Sequence, residues 1–227
     1  MPDLAPKAEV LRSLGRLVRG LSALFWGLPL SLVICVQTAR TDWLRPLGCL
    51  PPLIANALLF YGLWQLGSFQ RQERPWLKAL DRARILCVVN IGLSPFLYWW
   101  NVLPKVTYYD FAVALFGLSG LLFLFNLNLV LQRLTAMLPD EMLRQETRLF
   151  TNLNLYIIVA IVFLATLFVI AGTVTGLPTT LAVLLAMLEP SRPWLLMLLV
   201  LLPVAMTMAL IWKVKEVILH SVFEAEG

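Results

Sequence analysis

The sequence predicts an all-α, polytopic membrane protein with six transmembrane helices, and three observations carry that prediction. Of 227 residues, 60% are hydrophobic and only 14% charged, against about 25% charged in an average soluble domain. The mean hydropathy is +0.83. The charges are also clustered, leaving uncharged runs at 20–39, 46–70, 85–104, 111–132, 149–188 and 193–212. Each run reaches the ~20 residues an α-helix needs to cross about 30 Å of hydrocarbon. This pattern excludes a soluble enzyme, a nucleic-acid binder and a disordered tail. It is read as one integral membrane domain over 1–227, with spans near 20–38, 47–66, 85–103, 111–131, 150–172 and 194–212.

The first 19 residues are basic, as in a signal peptide. The apolar stretch behind them, Leu21 to Gln37, exceeds the about 7–15 residues of a signal core. Gln37-Thr38-Ala39-Arg40 is also a poor cleavage site, so the first span is retained. Pro51-Pro52 falls in the first turn of the second span, where proline costs little. Pro29 lies in the first span, and Pro95 and Pro203 are internal to the third and sixth, which favours hinges or kinked packing. The 149–188 run could hold two spans, but Gly172, Gly176 and Pro178 leave only Thr179 to Leu188 before Glu189. Ten residues rise about 15 Å and do not cross. That piece reads as a short helix in the outer interface, or as a re-entrant segment.

Orientation follows from the basic residues. The N-terminus, the second and fourth loops and the C-terminal tail hold 14 of the 18 Lys and Arg residues. Both termini are therefore expected in the cytoplasm, and a bacterial inner membrane is the expected location. Trp43, Trp99, Trp100, Tyr108, Tyr109 and Trp194 form an aromatic belt at the outer interface. The net charge of +5 restates the asymmetry and favours anionic lipid headgroups.

The loops at 67–84 and 132–148 mix apolar and charged residues. Trp76, Leu77 and Leu80 alternate with Lys78, Asp81, Arg82 and Arg84, and Leu134, Met137, Met142 and Leu143 lie among Asp140, Glu141, Arg144, Glu146 and Arg148. Both read as amphipathic cytoplasmic helices resting on the leaflet or docking a partner. Arg19, Arg84 and Arg148 open odd-numbered spans 65 and 64 residues apart, with Asn90 and Asn154, and Pro75 and Pro139, in register. Either three helical hairpins repeat, as in transporter folds, or the matches reflect Arg at every cytoplasmic edge.

No ionisable residue lies within the six spans, which argues against a proton pump, a proton-driven antiporter and a voltage sensor. The candidate site is a layer of neutral polar side chains. Gln65, Asn90, Asn126, Asn154 and Thr207 each lie six or seven residues from a basic boundary residue, a depth of about 9–10 Å. Trp26 could add an indole N–H from the first span, and Asn56 and Asn128 are further polar groups. The layer reads as interhelical hydrogen bonding or, alternatively, as a polar constriction along a solute path.

Gly117-Leu118-Ser119-Gly120 resembles the GxSG signature of rhomboid intramembrane proteases, which also carry their serine on the fourth of six spans. The resemblance implies a histidine on the sixth span to take the serine proton. Here the one histidine, His220, lies beyond Lys213, and Trp194 to Trp212 contains no base. Small residues on a packed helix face explain the motif better, and no enzyme is expected. A single histidine also excludes bis-histidine haem, and Cys35, Cys49 and Cys87 have no CxxC spacing. Cys35 and Cys49 could pair in an oxidising compartment, although buried thiols are the preferred reading. No cofactor or metal is expected. Two functions follow: an accessory or assembly subunit of a membrane complex, or a small facilitator or permease component for a neutral or weakly polar solute. The expected partners are the bilayer and either another membrane protein or a second copy; nucleic acid is not one.

Overall fold

The computed structural model describes residues 4–69, 73–137, 141–173 and 192–224. Among these residues seven α-helices follow one another: α1 (Leu4–Arg40), α2 (Leu50–Leu66), α3 (Arg74–Leu93), α4 (Pro95–Val102), α5 (Thr107–Ala136), α6 (Glu141–Thr173) and α7 (Arg192–Glu224). A single 3₁₀ turn at Arg45–Leu47 joins α1 to α2. Among the described residues there is no strand. Arg12–Arg40, Arg74–Val102, Thr107–Ala136 and Arg144–Leu167 are each long and apolar enough to cross a membrane, and Leu50–Leu66 is a shorter apolar helix of 17 residues. The outer helix expected at 179–188 lies outside the described residues, as do the side chains of Trp194 and His220.

Two elements differ from expectation. Residues 74–84 and 141–148 are not separate helices on the leaflet; they are the first turns of α3 and α6, which run unbroken into the apolar segments. The reason is visible in α3, where Trp76, Leu80, Ala83, Cys87 and Asn90 are all buried. Their spacings of four and three make one continuous stripe, which packs on α5. A helix with one unbroken stripe has no reason to bend at the membrane surface. The third span, by contrast, is broken at Ser94, where Pro95 opens α4. Proline lacks an N–H and crowds the residue before it. Pro29 and Pro203 sit inside helices that continue past them.

Helix C-termini leave carbonyls without partners, and near a membrane they need donors. Arg84 Nη2 of α3 donates to Leu63 O of α2 at 3.2 Å, and Arg144 Nη2 of α6 donates to Ala136 O of α5 at 3.3 Å. A positive group also suits the negative end of a helix dipole. At the other end of the bundle, Asn101 Nδ2 donates to Thr38 O and Thr41 O at 3.2 and 3.1 Å and closes α1. Trp43, Trp99 and Tyr108 are exposed there, and Trp100 Nε1 donates to Asp110 Oδ1 at 2.7 Å.

Packing is tightest at the basic end. Leu17 to Leu28 of α1, Leu59 to Leu66 of α2, Trp76 and Leu80 of α3, Leu127 to Leu134 of α5 and Leu210 to Ile218 of α7 contribute to one core. There α1 and α2 approach backbone to backbone through Gly20 and Gly62. A Cβ on Gly20 would lie 2.8 Å from Gly62 O, and one on Gly62 would lie 2.8 Å from Leu24 Cγ. Lipid tails are as apolar as leucine, so such close van der Waals contact holds helices where apolar burial does not. Gly62→Leu is therefore expected to cost about 1–3 kcal/mol by overpacking, read as a lowered thermal midpoint in detergent. Gly15→Ala, whose Cβ meets nothing within 4 Å, should leave the midpoint unchanged or raise it.

Candidate functional site

A polar side chain on an apolar helix must find its partner on a neighbouring helix or on its own carbonyls. Two residues of this chain gather such groups into nodes. On α7, Thr207 Oγ1 donates to Pro203 O at 2.7 Å. It accepts from Asn128 Nδ2 of α5 at 2.9 Å and from Asn154 Nδ2 of α6 at 3.2 Å. A threonine hydroxyl has one hydrogen and two lone pairs. With the hydrogen given to Pro203, both amides must present their nitrogens. Asn128 Nδ2 uses its second hydrogen on Leu124 O at 2.9 Å. Asn128 Oδ1 and Asn154 Oδ1 are left buried without partners.

The second node is Asn56 on α2. Its Nδ2 donates to Pro52 O at 2.8 Å and to Cys35 Sγ of α1 at 3.8 Å. Ser31 Oγ of α1 donates to Asn56 Oδ1 at 3.5 Å, and Cys87 Sγ of α3 donates to Asn56 O at 3.6 Å. The cysteines are free thiols, with Cys35 and Cys87 buried in this node.

Beside the Asn56 node, lined by residues of α1, α2 and α3 on one side and of α5, α6 and α7 on the other, lies a cavity of about 630 Å³, within the usual range for small-molecule sites. It occupies the half of the bundle remote from the basic end. Its wall is mostly aliphatic and aromatic, with Leu28, Leu59, Phe123 and Val204 among its residues. Ser31, Cys35, Asn56 and Asn90 supply a polar strip, and the described lining carries no charged side chain. Asn90 is 4% exposed, and its Oδ1 has no hydrogen-bond partner. Toward the basic end the cavity gives way to the packed core of Leu24, Leu63, Leu127 and Leu210.

The five residues of the expected layer are thus divided. Asn154 and Thr207 meet, and Asn90 stands on the cavity wall. Gln65 Nε2 donates to Tyr61 Oη of its own helix at 2.8 Å, and Asn126 Nδ2 donates to Leu122 O of its own helix at 2.8 Å. Trp26 is 69% exposed and its indole does not join them. Equal depth did not produce convergence, because depth says nothing about rotation. Two residues along a helix turn the side chain by about 200°, so Asn128 reaches Thr207 where Asn126 cannot. In the sequence the spacing of seven from Asn128 to Thr135 is matched by that from Asn126 to Arg133, so no signal there told the two amides apart.

Ser119 is buried, and among the described residues its Oγ has no hydrogen-bond partner. Gly117 and Gly120, flanking it, line the cavity, and a Cβ on either would meet nothing within 4 Å. The chain matches no protein-family profile, no curated protein and no solved structure.

The Thr207 node makes a testable contrast. Thr207→Val removes the hydroxyl and leaves one N–H of Asn128 and one of Asn154 without an acceptor, an expected loss of about 1–3 kcal/mol in equilibrium unfolding by SDS. Asn154→Leu removes one long hydrogen bond and one unpaired oxygen together, and should cost less than half as much.

Proposed function

We propose that this chain is a six-span membrane protein with both termini cytoplasmic that binds a neutral, largely apolar molecule in its intramembrane cavity. It would act as a facilitator or carrier component for such a molecule. The carrying observation is the cavity itself: about 630 Å³, with an uncharged described lining and one polar strip. Asn90, on the polar strip of the wall, brings a side-chain amide to the cavity and so favours a ligand with a hydroxyl or amide group over a hydrocarbon. Burying a charge against this wall would be costly, which disfavours ions.

Six crossings fit the helices: α2, with 17 residues, is at the short limit for a span, and α7 contributes the last. The distribution of Lys and Arg supports the cytoplasmic assignment. A bacterial inner membrane remains the proposed location. An accessory subunit, the other expected function, draws less support, because Trp76 and Leu80 of the segment that would dock a partner are fully buried within the chain. No catalytic role is proposed for Ser119.

Native mass spectrometry of the purified protein with monooctanoylglycerol and with octanoate tests this reading. The neutral glyceride should bind and the carboxylate should not. Gly117→Phe, which projects a ring into the cavity, should weaken binding at least tenfold while the protein stays folded. Asn90→Leu should weaken it about threefold to tenfold, the worth of one hydrogen bond. Equal binding of octanoate, or full binding by Gly117→Phe, would overturn the proposal.

A further inference from the structure

The basic end holds a second, chemically opposite site. On α1, Arg12, Arg16 and Arg19 follow at spacings of four and three, which places them along one face. Together with Gly15 they surround a cleft of about 480 Å³. Arg16 also lines a neighbouring cavity of about 390 Å³, with Trp64, Gln65, Ser68 and Leu77 and with Arg84 of α3. Gly67, also in that wall, leaves room for a guanidinium: a Cβ there would lie 1.9 Å from Arg84 Nη2.

Among the described residues the positive charges in this place outnumber their acidic partners. Arg84 has one acidic neighbour, with Nη1 3.2 Å from Asp81 Oδ1. It also stacks over the Trp64 ring at 5.5 Å from the centroid. Among the described residues no ion pair engages Arg12, Arg16 or Arg19. The Nε atoms of both Arg16 and Arg84 are buried and lack hydrogen-bond partners. Gln65 Nε2 gives one hydrogen to Tyr61 Oη and retains a second.

Converging N–H donors with surplus positive charge call for an anion with several acceptor oxygens, and a phosphate supplies them in the geometry guanidinium groups match. The exposed Trp64 ring and Leu77 give the same cavity an apolar side, as an acyl-bearing ligand would need. We propose that this cavity between α1, α2 and α3 is a specific site for the phosphate of an anionic lipid headgroup. Arg16 and Arg84 hold the oxygens, Gln65 adds a donor, and the stripe of Arg12 and Arg19 raises the local potential. The site shares no lining residue with the cavity beside the Asn56 node.

The test is native mass spectrometry of the full chain in uncharged detergent, titrated with phosphatidylglycerol, phosphatidylcholine or inorganic phosphate. Phosphatidylglycerol should bind in preference to phosphatidylcholine. Arg16→Gln should weaken phosphatidylglycerol about fivefold, the factor that corresponds to one basic residue at a membrane surface. Ser68→Asp keeps every arginine but adds a carboxylate to the cavity, and should erase the preference. Arg133→Gln, a change to an exposed residue of α5, should not. If Arg16→Gln does not fold, Ser68→Asp decides. Preference that survives Ser68→Asp overturns the site, and displacement of the lipid by millimolar inorganic phosphate overturns the lipid and leaves a soluble phosphate as the ligand.

Discussion

The hydroxyl of Thr207 fixes how α5, α6 and α7 lie against one another, and much of the molecule follows from that junction. Inside hydrocarbon, leucine gains nothing by facing leucine instead of a lipid tail. Helix rotation is therefore set by the few groups that cannot be left facing lipid. Thr207 gathers amides from α5 and α6, and Asn56 gathers side chains from α1 and α3. Each node draws three helices together, and the cavity is the space left between the two trios.

The trios are joined at the basic end, where α3 packs on α5 and α1 on α7. Glycines allow that end to close: Gly20 and Gly62 bring two backbones into contact. Arginines complete it by capping the exposed carbonyls of the preceding helices. The same guanidinium of Arg84 that caps α2 also faces the proposed headgroup site, so helix termination and lipid recognition share one side chain. A tight end and an open end are thus two results of one distribution of small, polar and basic residues.

The all-helical class and the apolar stretches were legible because charge clusters and run length are one-dimensional signals. Helix ends were legible where proline marks them, as at Pro51-Pro52 in the first turn of α2. Rotation was not. α5 is apolar almost all the way round, so nothing in its composition told Asn126 from Asn128, and Gln65 and Trp26 were likewise placed at a depth without a direction. The amphipathic character of 74–84 was read correctly as a pattern and wrongly as a location, because a stripe that suits a lipid surface suits a neighbouring helix equally well. The cavity had no sequence signature, since it arises from the divergence of two helix trios and not from any one of them.

The core at the basic end has a thermodynamic consequence. Leu17, Trp76, Leu80, Val214 and Ile218 are fully buried, and on the proposed topology each lies on the water side of the charged residue that bounds its span. For these side chains the alternative to burial is water, so their packing carries the positive heat capacity of unfolding of a soluble core. The polar nodes, buried within the apolar segments, carry little of it on the same topology. On that topology one molecule answers to two solvents: cooling weakens the clamp at its basic end, while the thickness and composition of the bilayer act on the half that holds the cavity.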